Sequence, residues 1–392
     1  MNPQIHTYSD VIEALDGWLQ ARGSSAANAV LIRRIVQAAY EEFPSIHDWT
    51  SLQANGRIML QEPYTTGTVE YDHTGGTYER QLTLTDGTWP DWAVNAAVRI
   101  NDIVCDVAEC KSSTVVTLDA TMNPGADIAA GTTFKLYKRW YALPNDFVSF
   151  WGPLESSTCA FGTYISPSEM LWRDSTYNTT GDPRYYTIMP LQDAYGTLGL
   201  YLTYDSDATN PMNFIYKRRP RSIRYTGHDA ADYAGTILVT AGSASVTGTT
   251  TSFSDNHVGS ILRVSSSATT RPTGVEGLQV FEEQRSIVSV SSPTLLTLDS
   301  TIQTSRSGVK YTISDPMDIE VGAYQLFLAL CKKHLAFEKD VKNKIEYEQA
   351  YRITLDAAKC GDTRVSQRRV CGYGTPSYAR LADSPKSQRV YE

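Results

Sequence analysis

Apolar positions recur at helical spacing at both ends of the chain and alternate with polar ones through the long middle. Near the start, Asp10-Val11-Ile12-Glu13 is a signal of capping-box type, and Ile12, Leu15 and Leu19 follow at helical intervals, which predicts a helix over 9–20. Gly23 closes this helix or its loop. A second helix is predicted from about Ser25, with Ala27, Leu31, Ile35, Ala38 and Ala39 as its apolar stripe. Phe43-Pro44 ends it, because proline disfavours helical geometry in the residue before it. The two make an αα-hairpin. At the other end, Asp315-Pro316 and Asp318 set the start of a helical stretch from Glu320 to about Lys359. Tyr324, Leu328, Cys331 and Leu335 form one stripe, and Tyr351, Leu355 and Ala358 form another with a shifted phase. Glu338 to Lys344 between them is almost all charged. The pattern fits one helix of about 60 Å or two with a break near Asp340.

Threonine marks the middle. Of 42 threonines, 37 lie between residues 51 and 315, and β-branched side chains suit a pleated surface. This region repeats itself. Thr114-Val115-Val116-Thr117-Leu118-Asp119-Ala120-Thr121 returns 180 residues later as Thr294-Leu295-Leu296-Thr297-Leu298-Asp299-Ser300-Thr301. Val98-Arg99-Ile100 matches Leu262-Arg263-Val264, and Gly67-Thr68-Val69 matches Gly235-Thr236-Ile237. Two β-modules are therefore predicted, each of five or six short strands in a small sandwich or barrel. The expected fold class is α+β: an N-terminal helical hairpin and a long C-terminal helix form a helical frame, with two related small antiparallel β-modules inserted in it. The expected boundaries are 1–57 for the hairpin, 58–140 for the first module, 141–225 for a connecting segment, 226–315 for the second module, 316–360 for the C-terminal helix and 361–392 for an extended arm.

The connecting segment holds a short helix begun by Ser166 as N-cap and Pro167 at its first position. It ends in the densest basic cluster, Lys217-Arg218-Arg219-Pro220-Arg221, with Arg224 nearby. Lys217, Arg218, Arg219 and Arg221 are expected at a subunit interface, paired with carboxylates of a neighbour. After Gly361, six basic residues face three acids among tyrosines. This stretch reads as a disordered end or as an arm that orders on a partner, since arginine and tyrosine anchor interfaces.

Composition narrows the classes. Lysine and arginine number 35 against 43 acids, net −8, which argues against a surface built wholly to grip nucleic acid. No apolar run approaches the ~18 residues of a membrane span, and Met1 to His6 lacks the look of a signal peptide. The six cysteines have no CxxC spacing and the six histidines are isolated, so metal and disulfide signals are absent and no metal or cofactor is expected. Glu41 and Glu42 are adjacent on a helix and point apart. Asp119 and Asp299 read as turn formers in separate modules. With no GxSxG elbow and no glycine–lysine phosphate loop, no enzyme activity and no catalytic residue are assigned.

Four pieces of the chain together resemble the head-to-tail adaptor, or neck connector, proteins of tailed bacteriophages. These are the helix pair ending Ala38-Ala39-Tyr40-Glu41-Glu42-Phe43-Pro44; Tyr141-Ala142-Leu143-Pro144-Asn145-Asp146-Phe147; Gly181-Asp182-Pro183 with Tyr185-Tyr186-Thr187 and Tyr216-Lys217-Arg218-Arg219-Pro220; and Tyr351 to Ala358 followed by Asp362-Thr363-Arg364. The resemblance implies a structural protein of the virion neck, made in the host cytoplasm, that forms a dodecameric ring beneath the portal. Genomic DNA would pass through its lumen without sequence-specific binding, and tail or nozzle proteins would dock on it, with no membrane involved. The arm, through Arg364, Arg368, Arg369, Tyr373 and Tyr378, would bind the portal. The chain departs from simple adaptors, which are mostly helical bundles, in its two threonine-rich modules. Those modules support a different reading, a receptor-binding fibre or capsid decoration protein.

Overall fold

The computed structural model describes residues 5–20, 29–94, 96–138, 140–151, 154–156, 160–161, 163–176, 185–191, 196–202, 209–274, 280–339 and 342–370. The chain forms two compact units, one of residues 1–52 with 220–392 and one of residues 53–219.

The chain opens with α1 (Tyr8–Gln20) and α2 (Ala29–Ile46). The second unit then runs through β1 (Gln53–Met59), β2 (Thr68–Asp72), β3 (Gln81–Thr85), β4 (Ala97–Ile100), β5 (Ile103–Cys110), β6 (Val115–Leu118), β7 (Ile128–Thr132) and β8 (Phe134–Tyr137). It continues through β9 (Trp140–Ala142), β10 (Phe147–Phe150), β11 (Leu154–Ser156), β12 (Ala160–Phe161), β13 (Thr163–Tyr164), α3 (Pro167–Thr176), β14 (Tyr185–Pro190), β15 (Leu198–Leu202) and β16 (Pro211–Arg218). Back in the first unit come β17 (Thr236–Val239), β18 (Ser245–Thr249), β19 (Ile261–Val264), β20 (Glu283–Ser292), β21 (Leu295–Leu298), β22 (Arg306–Val309) and β23 (Tyr311–Ser314), then α4 (Tyr324–Glu338) and α5 (Lys344–Val370).

This is a β-rich protein, 36% strand and 28% helix, and it overturns the expected helical frame with small inserted modules. Its main features are two curled, seven-stranded antiparallel half-barrels, and only five helices occur among the described residues. The difference has a physical cause. Residues 141–225 are expected to be a connecting segment, yet Tyr141, Phe147, Phe214 and Tyr216 within them are buried in a core. In β16, Met212, Phe214 and Tyr216 alternate with exposed or half-buried residues, and they join Leu60, Tyr141, Leu143, Phe147 and Leu200 in a core of their own. Two sheets enclose it, β1-β16-β11-β12 with β10 also on β16, and β13-β14-β15-β9. β1 pairs with β16 along its whole length, from Gln53↔Lys217 to Met59↔Pro211, so the N-terminal helical part ends before Gln53.

The half-barrels share one strand order. The first runs β7-β2-β3-β6-β5-β4-β8 and the second β22-β17-β18-β21-β20-β19-β23. Registers agree at the repeat positions: Val98 lies opposite Cys105 and Leu136, and Leu262 opposite Arg285 and Ile313. A register shift falls between Val107 and Glu109 in one and between Ile287 and Ser289 in the other. Gly67 and Gly235 both sit at left-handed φ, +88° and +79°, where an added Cβ would lie 2.3 and 2.1 Å from the carbonyl oxygens of Thr85 and Thr249. Only glycine fits both constraints. Inside, Val69, Leu82, Val98, Val107, Val116 and Leu118 of the first barrel correspond to Ile237, Val246, Leu262, Ile287, Leu296 and Leu298 of the second. The barrels differ in one connection. β4 and β5 are joined by Asn101-Asp102 at φ 47° and 67°, a tight hairpin turn, whereas residues 265–282 separate β19 from β20.

Around the second half-barrel's unit, α1, α2, α4 and α5 bury Val11, Leu15, Val36, Phe43, Phe327 and Leu335 in one core. α2 does not stop at Phe43 but carries Pro44 in its last turn. The proline sits too close to the helix end to break it, and the Trp49 indole N–H donates to the Phe43 carbonyl at 3.0 Å while its ring stacks on Phe43. The C-terminal stretch is two helices, α4 ending at Glu338 and α5 beginning at Lys344, with the break inside the charged run. Gly23 and Ser25 lie outside the described residues.

Candidate interaction surfaces

A buried polar network lies where α1 meets the second half-barrel. Asp10 accepts the backbone N–H of Thr7 at 2.8 Å, so the carboxylate caps its own helix from the first turn. The same carboxylate takes both arms of Arg263, at 2.6 and 2.8 Å. Arg263 is 1% exposed and lies over the Phe281 ring, with the Ile5 carbonyl 3.3 Å from its second arm. One residue earlier, the Ser9 N–H donates to Ser314 Oγ at 3.0 Å, and the Tyr8 N–H to the Asp315 carbonyl at 2.9 Å. Asp315 also accepts Ser260 Oγ and the backbone N–H groups of Arg224 and Tyr225.

His228, Ser9 and Glu13 also meet here, in what could be taken for a nucleophile–base–acid set. His228 Nε2 lies 3.2 Å from Ser9 Oγ and 3.6 Å from Glu13 Oε1, while Arg271 Nη2 donates to Nδ1 at 3.1 Å. A guanidinium has no acceptor, so Nδ1 keeps its lone pair and Nε2 carries the proton. The nitrogen beside Ser9 therefore cannot take the serine's proton, and the cluster is a structural clasp. Burial, then the Arg271 and Arg33 charges, push the His228 pKa down to about 4. Burial pushes the Glu13 carboxyl up, against the Gly274 N–H that lowers it.

These shifts set a pH dependence. Between pH 6.5 and about 4 the unfolded chain takes up a proton at His228 that the folded chain refuses, so stability falls as pH falls through that window. Glu13 works in the opposite sense. We expect the melting temperature of wild type to drop more steeply over this range than that of His228→Gln, read by differential scanning calorimetry in matched buffers. Parallel profiles would remove His228 as the source.

The predicted basic patch divides at the boundary of the units. Lys217 and Arg218 end β16, and the Arg219 backbone N–H donates to the Asp146 carbonyl at 2.6 Å. Arg221 belongs to the other unit, where its guanidinium donates to the Gly259 and Val258 carbonyls at 2.6 and 2.9 Å. Its charge is thus tied into the loop before β19. The C-terminal helix runs further than the sequence predicts. α5 continues past Gly361 to Val370, so Arg364, Arg368 and Arg369 stand on a helix, and Tyr373 and Tyr378 lie outside the described residues. Asp362, 6% exposed, holds this end of the helix by accepting Thr50 Oγ1 and the Thr50 N–H and by pairing with His47 Nε2 at 3.0 Å.

Other sequence candidates have ordinary roles. Asp119 accepts the Thr121 N–H and hydroxyl at 2.8 and 2.6 Å, which holds its carboxyl below the usual range and forms a turn. Asp299 accepts Ser300 Oγ in the other unit. Glu41 takes the Gln37 amide and Glu42 pairs with His334. Among the described residues no three metal-ligating side chains lie together, and no helix is long and apolar enough to cross a membrane.

Large apolar side chains in water are the features that sequence reading missed. On α3, Leu171 and Trp172 are 63% and 61% exposed. On α5, Tyr351, Leu355 and Ala358 turn to the core while Ile345 and Ile353 are 70% and 71% exposed. The spacing from Ile345 to Ile353 was a usable signal, because it is helical and out of phase with Tyr351. No family model, curated protein or solved structure matches the chain.

Proposed function

We propose that this chain is a structural subunit of the neck of a tailed bacteriophage, a head-to-tail adaptor. It assembles as a twelvefold ring under the portal, extends the DNA channel, and offers the tail its docking surface. It has no catalytic role. The observation that carries the reading is the pair of exposed apolar helix faces, Leu171 with Trp172 on α3 and Ile345 with Ile353 on α5. Burying one such side chain contributes about 1.5–3 kcal/mol. Two unlike patches on one subunit are what a cyclic interface needs, since each subunit presents a different face to either neighbour. The motif resemblance supplies the identity of the assembly, and the basic helix end from Arg364 to Arg369 is its portal-facing part.

The duplicated half-barrels favour a second reading, a receptor-binding fibre or capsid decoration protein. Light scattering of the purified chain, alone and mixed with portal rings, separates the two. Twelve copies on a portal ring is the expected result. A stable trimer that ignores the portal would replace the adaptor reading with the fibre one.

A further inference from the structure

The long helix α5 has two unlike sides. On one, Tyr351, Leu355 and Ala358 turn to the helical core, and Tyr347 meets the Trp18 ring edge-on at 5.5 Å. On the other, Glu346, Ala350, Ile353, Ala357 and Cys360 are all exposed, Ile353 at 71%. Among the described residues Glu346 makes no ion pair, and Cys360 is a free thiol. From Glu346 to Cys360 these positions follow steps of four, three, four and three residues. That is the spacing of a seam along which one helix packs on another, and Arg364 stands at its next step on the same helix. The seam is acidic at its first position, basic at its last and apolar between them.

We propose that in the free chain this seam is covered by α5 of a second copy of this chain, running antiparallel about a two-fold axis. The charges at the two ends decide the direction. A parallel pair would set Glu346 against Glu346 and Arg364 against Arg364. In an antiparallel pair centred on Leu355, Ile353 meets Ala357, Ala350 meets Cys360 and Glu346 meets Arg364, each contact made twice. The helix dipoles also favour the antiparallel arrangement. Alanine at two of the positions lets the axes approach to about 8 Å. The seam is about 27 Å long, so the contact falls at the small end of specific interfaces and the dimer is weak. A two-fold contact uses one patch twice and closes on itself. It therefore stops at two copies and covers the α5 face that the ring reading above gives to a neighbour. The pair itself is independent of that reading, whereas its role in holding back the ring rests on it.

Sedimentation of the full-length chain from about 5 to 200 μM should show a monomer–dimer equilibrium. Ile353→Glu is expected to weaken it by about tenfold or more, because a charge enters the seam without a partner. Glu346→Arg should weaken it by about fivefold, since the change counts at both ends, and adding Arg364→Glu should restore it. Circular dichroism melts confirm that each variant folds. Cross-linking reads the direction. With oxidised glutathione, Ala350→Cys should give a covalent dimer whose disulfide, located by peptide mapping, joins position 350 to Cys360. That dimer should load onto portal rings only after reduction, and loading while cross-linked would remove its role in holding back the ring. A wild-type disulfide between two copies of Cys360 shows a parallel pair and overturns the proposal. So does a wild type that stays monomeric while the chain truncated after Val370 dimerises, which would give the face to residues 371–392. A chain monomeric at every concentration that still loads onto portal rings overturns the pair and leaves the ring reading. A dimer as expected in a chain that ignores portal rings keeps the pair and removes the ring reading.

Discussion

Asp10→Ala is expected to destabilise the unit of residues 1–52 and 220–392 by about 3–5 kcal/mol, because it leaves a buried guanidinium without its paired carboxylate. Arg263 is 1% exposed and Asp10 only 4%, so water cannot take over the pairing. The loss has a second part, since Asp10 also accepts the Thr7 N–H at the helix start. Urea unfolding gives the magnitude, and hydrogen exchange locates it in α1 and β19. The double change Asp10→Asn with Arg263→Met should recover a large share, as it removes the charge and keeps a capping oxygen. Arg99→Met, at the matching position of the first half-barrel, should cost no more than about 1 kcal/mol, because its partner is a surface carboxylate. Equal losses at the two arginines would show that burial does not set the difference between them.

Under the adaptor reading proposed above, truncation after Val370 is expected to weaken binding to portal rings, the basic helix end from Arg364 to Arg369 being kept, while leaving the melting temperature of the free chain unchanged. It removes Tyr373 and Tyr378 and keeps every contact of α5 to the helical core. Truncation after Gly361 is a different experiment. It also deletes Asp362, which ties the helix to Thr50 and His47, and so should lower the melting temperature as well. Co-sedimentation with portal rings and a thermal melt on each truncated chain separate docking from folding. Undiminished portal binding by the chain ending at Val370 would exclude residues 371–392 as the docking arm.

Much of the architecture was legible where a local rule governs it. The start of α3 at Ser166-Pro167 follows from capping chemistry, and the break between α4 and α5 falls in a charged run with no apolar stripe to carry a helix through. The inward alternation of Met212, Phe214 and Tyr216 was equally visible, but an aromatic residue at alternate positions suits a core and an interface alike. Choosing between them requires knowing that β1, some 150 residues earlier, closes the sheet. The same limit applied to the α5 boundary. Gly361 is a poor helix residue, worth about 1 kcal/mol against alanine, and the distant anchor of Asp362 at Thr50 and His47 works against that penalty.

The sequence by itself determined the duplication. Strand alternation, the left-handed glycines and the β6 and β21 motif are all set by neighbours a few residues apart, so two stretches with the same local pattern fold to the same strand order. What only the tertiary structure decided is the use made of each copy. Arg99 and Arg263 sit in like surroundings, Val-Arg-Ile and Leu-Arg-Val, and nothing adjacent to them distinguishes their roles. Arg263 became a buried anchor because Asp10, 253 residues away in the chain, packs over it, whereas Arg99 stayed half-buried with a surface partner, Asp102, three residues away. Burial depends on what lies above a face, and that is a property of the whole fold.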